Sequence, residues 1–64
     1  MKLTLTLEMD NAAFGNGRYT RGLEVRRILR AFAVGAAADG LRTGDDGKLR
    51  DRNGNTVGGW TVTE

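Results

Sequence analysis

The stretch Lys48-Leu49-Arg50-Asp51-Arg52-Asn53-Gly54-Asn55-Thr56-Val57-Gly58-Gly59-Trp60-Thr61-Val62-Thr63 decides the fold of this 64-residue chain. Asn53-Gly54 stands between two extended segments. That is the strongest short-range signal for a β-hairpin, because a primed turn needs positive φ at both central residues. The sequence therefore predicts two antiparallel strands, with Asp51, Asn53 and Asn55 bonding the turn backbone. Val57 and Trp60 are three residues apart, so both can face one side only if the two-residue period of the strand is reset. Gly58-Gly59 between them predicts a β-bulge that does this. Trp60 and Val62 then complete a core.

Upstream of the hairpin the pattern changes period. Val25, Ile28, Leu29, Phe32 and Ala36 fall in one stripe at 100° per residue, which predicts a helix from about Arg21 to Ala38 packed on the sheet. Thr20 is the expected N-cap. Gly35 lies in the same stripe, where a missing side chain lets the helix approach the strands. Asp39-Gly40 ends the helix, because glycine takes positive φ without Cβ strain. Phe32 and Trp60 are the expected core anchors, and Phe32→Ala is expected to cost about 3 to 5 kcal/mol. From Lys2 to Glu8, Leu3, Leu5 and Leu7 alternate with polar residues, the signature of a half-buried strand. Asp10 to Gly17 reads as a loop with Phe14 folded back as a lid, and Gly44-Asp45-Asp46-Gly47 as a polar loop.

Residues 1–64 thus form a single small α+β domain of β-α-β-β order. Its expected architecture is a three-stranded, mainly antiparallel sheet with one helix packed on one face. A right-handed crossover favours the last strand in the middle. The other order puts the second strand in the middle, parallel to the first. Nothing covers the opposite sheet face, with Thr4, Thr6, Arg50, Arg52 and Thr61, so it is exposed or an interface.

Composition narrows the chemistry. There is no cysteine and no histidine, which removes disulfides, thiolate sites and imidazole ligands or proton shuttles, and no cofactor or metal is expected. A domain this small buries only about 60% of its unfolded surface, so self-association is an available source of stability. Ten basic and eight acidic residues give a formal charge of +2, too little for a strong whole-molecule field. No apolar run approaches the ~20 residues that span a bilayer, and Leu3, Leu5 and Leu7 do not form a signal-peptide core. The expected location is cytoplasmic, with no membrane partner.

The motifs carry binding better than catalysis. Asp51-Arg52-Asn53-Gly54-Asn55 resembles the start of a calcium loop, but Thr56 and Val62 occupy the places where an EF-hand needs Gly and a bidentate Glu. The glycine pairs are not phosphate loops, since none ends in Lys-Ser or Lys-Thr after a strand. Asp45 and Asp46 sit in a solvated loop, and Thr20 or Thr61 lacks an activating base. An enzyme is therefore not expected. Arg26, Arg27 and Arg30 cluster opposite the Ile28/Phe32 stripe, with Arg18 and Arg21 just before them. Leu23 and Val34 add apolar contact on that side. Arg forks suit carboxylates or phosphates, and apolar groups edged by Arg are the usual mixture of a protein interface. An ordinary solvated helix face has the same pattern.

Three segments carry a family resemblance: Asp10-Asn11-Ala12-Ala13-Phe14, Glu24-Val25-Arg26-Arg27-Ile28-Leu29, and Leu49-Arg50-Asp51-Arg52-Asn53-Gly54-Asn55-Thr56-Val57-Gly58. Their arrangement resembles small hypothetical proteins of actinobacterial phages and prophages, over nearly the whole chain. The resemblance implies a phage product acting inside a bacterial host, and it supplies no catalytic residues. The function it points to is an accessory protein, without catalytic activity, that modulates the host or counters its defence by binding a host protein. A homodimer is compatible with this. The candidate contact residues are Arg21, Arg26, Arg27, Arg30 and Val34. Two other readings are a nucleic-acid-binding module using the helix arginines, and a minor virion or assembly protein.

Overall fold

The computed structural model describes residues 1–64, and in it the chain runs β1 (Lys2–Leu7), a 3-10 turn (Ala12–Phe14), α1 (Arg18–Asp39), β2 (Asp46–Arg50) and β3 (Thr56–Thr63). The strand order is β1-β3-β2, and both neighbouring pairs are antiparallel. This is the α+β arrangement expected from the crossover, with the last strand central and the parallel order absent. β1 meets β3 in the register Leu3 opposite Val62, Leu5 opposite Trp60 and Leu7 opposite Gly58. Directly opposed residues share a sheet face, so the three leucines and the apolar half of β3 lie together on the helix side.

The bulge lies between β2 and β3. Leu49 opposes Gly58 and Arg50 opposes Thr56, so Val57 is the extra residue. Inserting it there brings both Val57 and Trp60 toward the helix despite their odd spacing. The bulge thus lies one residue before the glycine pair expected to form it: Gly58 and Gly59 pair regularly with both neighbours, and Gly58 is needed instead because a Cβ there would collide with the Thr6 carbonyl of β1. Gly47, opposite Trp60, leaves room for the indole, whose Nε1 lies 2.5 Å from where a Cβ would stand.

The hairpin forms where expected, but its turn is of a different kind. Gly54 has φ 85° while no non-glycine residue has positive φ, so Asn53 does not adopt the primed-turn conformation. The Gly54 N–H donates to Asp51 O at 3.0 Å and the Asp51 N–H to Asn55 O at 2.9 Å, closing a three-residue loop. The cause is the Asp51 carboxylate, whose Oδ1 accepts from the Asn53 and Asn55 N–H groups at 2.9 Å each. Bridging them favours the wider loop with a single left-handed glycine.

The helix starts at Arg18, three residues before the expected start, with Gly17 as its N-cap. Thr20 is therefore inside the first turn. Its Oγ1 accepts from the Gly17 N–H at 3.1 Å and donates to Gly17 O at 2.8 Å, so the hydroxyl fixes the helix start by reaching back. At the other end Gly40, φ 77°, terminates α1 as expected, its N–H reaching Ala36 O at 2.8 Å.

The core is thin, with six buried apolar residues, so each large one carries much of the stability. Its centre is Phe14, the one large side chain with no exposure, surrounded by Ala13, Ile28, Leu49 and Val57. Phe14 is thus the hub of the core and not a lid on it. Phe32 and Trp60, the expected anchors, are only partly buried and meet edge to face with ring centroids 5.2 Å apart. Leu29 is 40% exposed, and no atom lies within 4 Å of a Cβ placed on Gly35, so that glycine does not serve a close helix approach. The geometry explains these departures. A 22-residue helix is about 33 Å long, whereas five-residue β2 spans about 17 Å. The first half of α1 is held by the Ala12–Phe14 turn and the hairpin, and in its second half Phe32 meets Trp60 beside an open groove facing β2.

Candidate interaction surfaces

Two buried carboxylates organise the polar interior. Glu24, on the α1 flank facing the hairpin, accepts from Arg27 Nε at 2.9 Å and Nη2 at 3.1 Å, and from the Arg52 N–H at 2.8 Å. Arg27 Nη2 also donates to Arg50 O at 3.0 Å. Beside this, Asp51 Oδ2 accepts from Asn11 Nδ2 at 2.7 Å and Asn55 Nδ2 at 3.3 Å, and Asn11 Oδ1 accepts from the Ala13 N–H at 3.0 Å. The two-point contact with Arg27 holds the Glu24 carboxyl below its ordinary range, outweighing burial and helped by the Arg52 N–H. For Asp51, burial pushes upward, but the Asn55 and Asn53 N–H groups and the Asn11 amide together hold the carboxyl down. Every buried side-chain polar atom has a partner.

Three separate segments, the loop of residues 10–14, the 24–29 stretch of α1 and the hairpin of residues 49–58, meet in this cluster, a latch. Asn11 comes from the first, Glu24 and Arg27 from the second, Asp51 and Asn55 from the third. Their shared feature is a hydrogen-bonded cluster that ties loop, helix and hairpin into one body. Sequence reasoning found the Asp51 turn contacts and missed Asn11 and Glu24. The available signal was the i, i+3 spacing of Glu24 and Arg27, which places opposite charges side by side on a helix. Arg27 was expected on a free arginine face. The structure instead spends its guanidinium on Glu24 and Arg50, because only this flank of α1 faces the hairpin.

Between the second half of α1 and β2 lies an open groove of about 740 Å³, with Ile28, Phe32, Leu49 and Trp60 in its lining. Its rim charges are partly committed to the fold. Arg27 belongs to the latch, and Asp45 Oδ2 accepts from the Arg42 N–H at 3.0 Å.

The outward face of α1 is different. Tyr19, Leu23, Arg26, Arg30 and Val34 follow one another at steps of four, three, four and four residues, a single stripe opposite Ile28. Tyr19 is 77% exposed, Leu23 54% and Val34 72%, and Arg26 and Arg30 are also exposed. The molecule's one salt bridge is Glu24–Arg27, so Arg26 and Arg30 have no carboxylate partner. The Arg18 guanidinium lies 5.2 Å from the centre of the Tyr19 ring. Arg21 is exposed, yet it sits seven residues before Ile28, at the core-facing angle of the helix and away from the stripe. Of the five candidate residues, the fold therefore groups Arg26, Arg30 and Val34, and it separates Arg21 and Arg27 from them.

The uncovered face of the sheet is polar. Thr4, Thr6 and Thr61 lie there with Lys48 and Arg50, whereas Arg52 is in the turn with its N–H on Glu24. No helix is long and apolar enough to cross a membrane. Comparison with protein-family models, with curated proteins and with solved structures finds no match to this chain.

Proposed function

We propose that this chain is a non-catalytic binding protein that docks an acidic surface of a partner protein on the outward face of α1. The observation that carries the reading is the stripe itself: two arginines without carboxylate partners, flanked by exposed Tyr19, Leu23 and Val34. Unpaired guanidinium groups beside apolar side chains complement carboxylates set among apolar groups, and Arg and Tyr are enriched where binding energy concentrates. The carboxylates of the latch are saturated with donors, which leaves binding rather than proton transfer as the work the surface supports. A protein partner is favoured over nucleic acid because Tyr19, the one aromatic ring in the stripe, already has one face covered by Arg18. The resemblance to phage and prophage proteins supplies the setting of the proposal, the cytoplasm of a bacterial host.

The test is affinity capture from lysate of an actinobacterial host, with and without nuclease, comparing the parent chain with the Arg26→Glu/Arg30→Glu variant. The proposal expects a discrete acidic protein that survives nuclease, is lost with the charge reversal, and is retained by a Lys48→Glu control on the sheet. Recovery of nucleic acid alone, or a partner indifferent to Arg26 and Arg30, would overturn it.

A further inference from the structure

We infer that β1 is a self-association edge, through which two copies of this chain join their sheets into one six-stranded antiparallel sheet. β1 and β2 are the two edges of the sheet, and they are not alike. β2 is protected: it is five residues long, contains Gly47 and ends at the bulge. β1 has no proline, no glycine, no bulge and no charge on its inner face, and its one charged guard, Lys2, stands at the end of the strand. Its Leu3 is 40% exposed although it points to the helix side. Leu29, on the flank of α1 opposite Arg27 and hence turned toward β1, is 40% exposed as well.

The hydrogen-bond parity fixes how a second copy must pair. The Glu8 N–H donates to Val57 O at 2.7 Å, one step beyond the last β1–β3 pair, Leu7 with Gly58, and the Val62 N–H, opposite Leu3, turns away from β1 to Asp45 O at 2.9 Å. Because bonded and non-bonded pairs alternate in an antiparallel ladder, Lys2, Thr4, Thr6 and Glu8 bond β3. The N–H and C=O groups of Leu3, Leu5 and Leu7 therefore point outward along the free edge. An antiparallel copy must offer its own Leu3, Leu5 and Leu7 to them, and the register that uses all three sets Leu5 opposite Leu5, with Leu3 opposite Leu7. In that register Thr4 opposes Thr6, and Lys2 opposes Glu8 at both ends of the ladder. Lys2 and Glu8 are exposed and unpaired in the single chain, so β1 is complementary to itself in charge, in face and in hydrogen bonding. The two-fold axis runs perpendicular to the sheet and puts both helices on one face, where Leu3 and Leu29 of each copy approach the other. The outward stripe of α1 stays free.

Sedimentation over a wide concentration series tests this, using the parent chain, Lys2→Glu, Glu8→Lys and the Lys2→Glu/Glu8→Lys double variant. The expected result is a monomer–dimer equilibrium weakened about tenfold in each single variant, where like charges face each other at two symmetric positions, and restored in the double variant. Amide hydrogen exchange supplies a second readout: protection at Leu3, Leu5 and Leu7 should rise with concentration while that at β2 does not. A chain that is monomeric throughout, or a dimer indifferent to the charge swap, or leucine amides unprotected at every concentration would overturn the inference.

Discussion

Replacing Phe14 with leucine removes three carbons from the centre of the core. Phe14 has no exposed surface, so the loss is felt in full, at roughly 0.8 kcal/mol per buried methylene. Leucine refills part of the space, and the expected cost is about 1.5 to 2.5 kcal/mol. Phe14→Ala would cost about 3 to 5 kcal/mol, which matches or exceeds the whole stability of so small a domain. Phe32 is partly exposed, so Phe32→Leu should cost roughly half as much as Phe14→Leu. With a urea m-value of about 1 kcal/mol/M for a chain this size, Phe14→Leu should lower the midpoint by about 2 M and Phe32→Leu by about 1 M. Far-UV circular dichroism is the appropriate probe, since Trp60 touches Phe32 and its fluorescence would change in either state. A larger shift for Phe32→Leu than for Phe14→Leu would refute the placement of the core at the Ala12–Phe14 turn and return it to the helix stripe.

Other substitutions separate the roles of single residues. Gly35→Ala should raise stability by up to about 1 kcal/mol, because the position is helical and open, and thermal melts will show it. Gly58→Ala should leave the chain largely unfolded by the same measurement, since its Cβ has no room beside the Thr6 carbonyl. Acid titration of stability should show the latch. The carboxyls of Glu24 and Asp51 lie below their ordinary values of 4.5 and 3.8 in the folded chain, so the unfolded chain protonates first as the pH falls. Their contribution is complete above those ordinary values and is lost as the pH drops through the lowered ones. Glu24→Gln and Asp51→Asn should each reduce stability at neutral pH and flatten this acid limb, and an unchanged limb in both would contradict the latch.

Much of the fold was legible because it rests on local chemistry. The Asn53-Gly54 dipeptide, the Leu3/Leu5/Leu7 alternation and the Val25/Ile28/Phe32 stripe each declare their element, and the crossover rule orders the strands. The misreadings have a common physical source, namely side chains that reach beyond their own element. Thr20 looked like a cap because its hydroxyl serves one, but it serves Gly17 from inside the helix. Asn53 was denied positive φ by the Asp51 carboxylate two residues away. Phe14, in a stretch rich in Asn and Gly, carried no periodicity to mark it as the core hub. The arginine cluster read as one face until Glu24 drew Arg27 out of it. Charge identity alone does not show which guanidinium groups remain free, and the geometry of the latch does.

The most direct test of the proposed docking face is site-specific photo-crosslinking in host lysate, with the reactive side chain introduced at Val34 in one variant and at Thr61 in another. Both positions are exposed, one on the outward stripe of α1 and one on the uncovered sheet face, so folding is not at issue. A discrete acidic protein crosslinked from Val34 and not from Thr61 is the predicted result. The same protein captured from Thr61 alone would contradict the account and move the binding surface to the sheet.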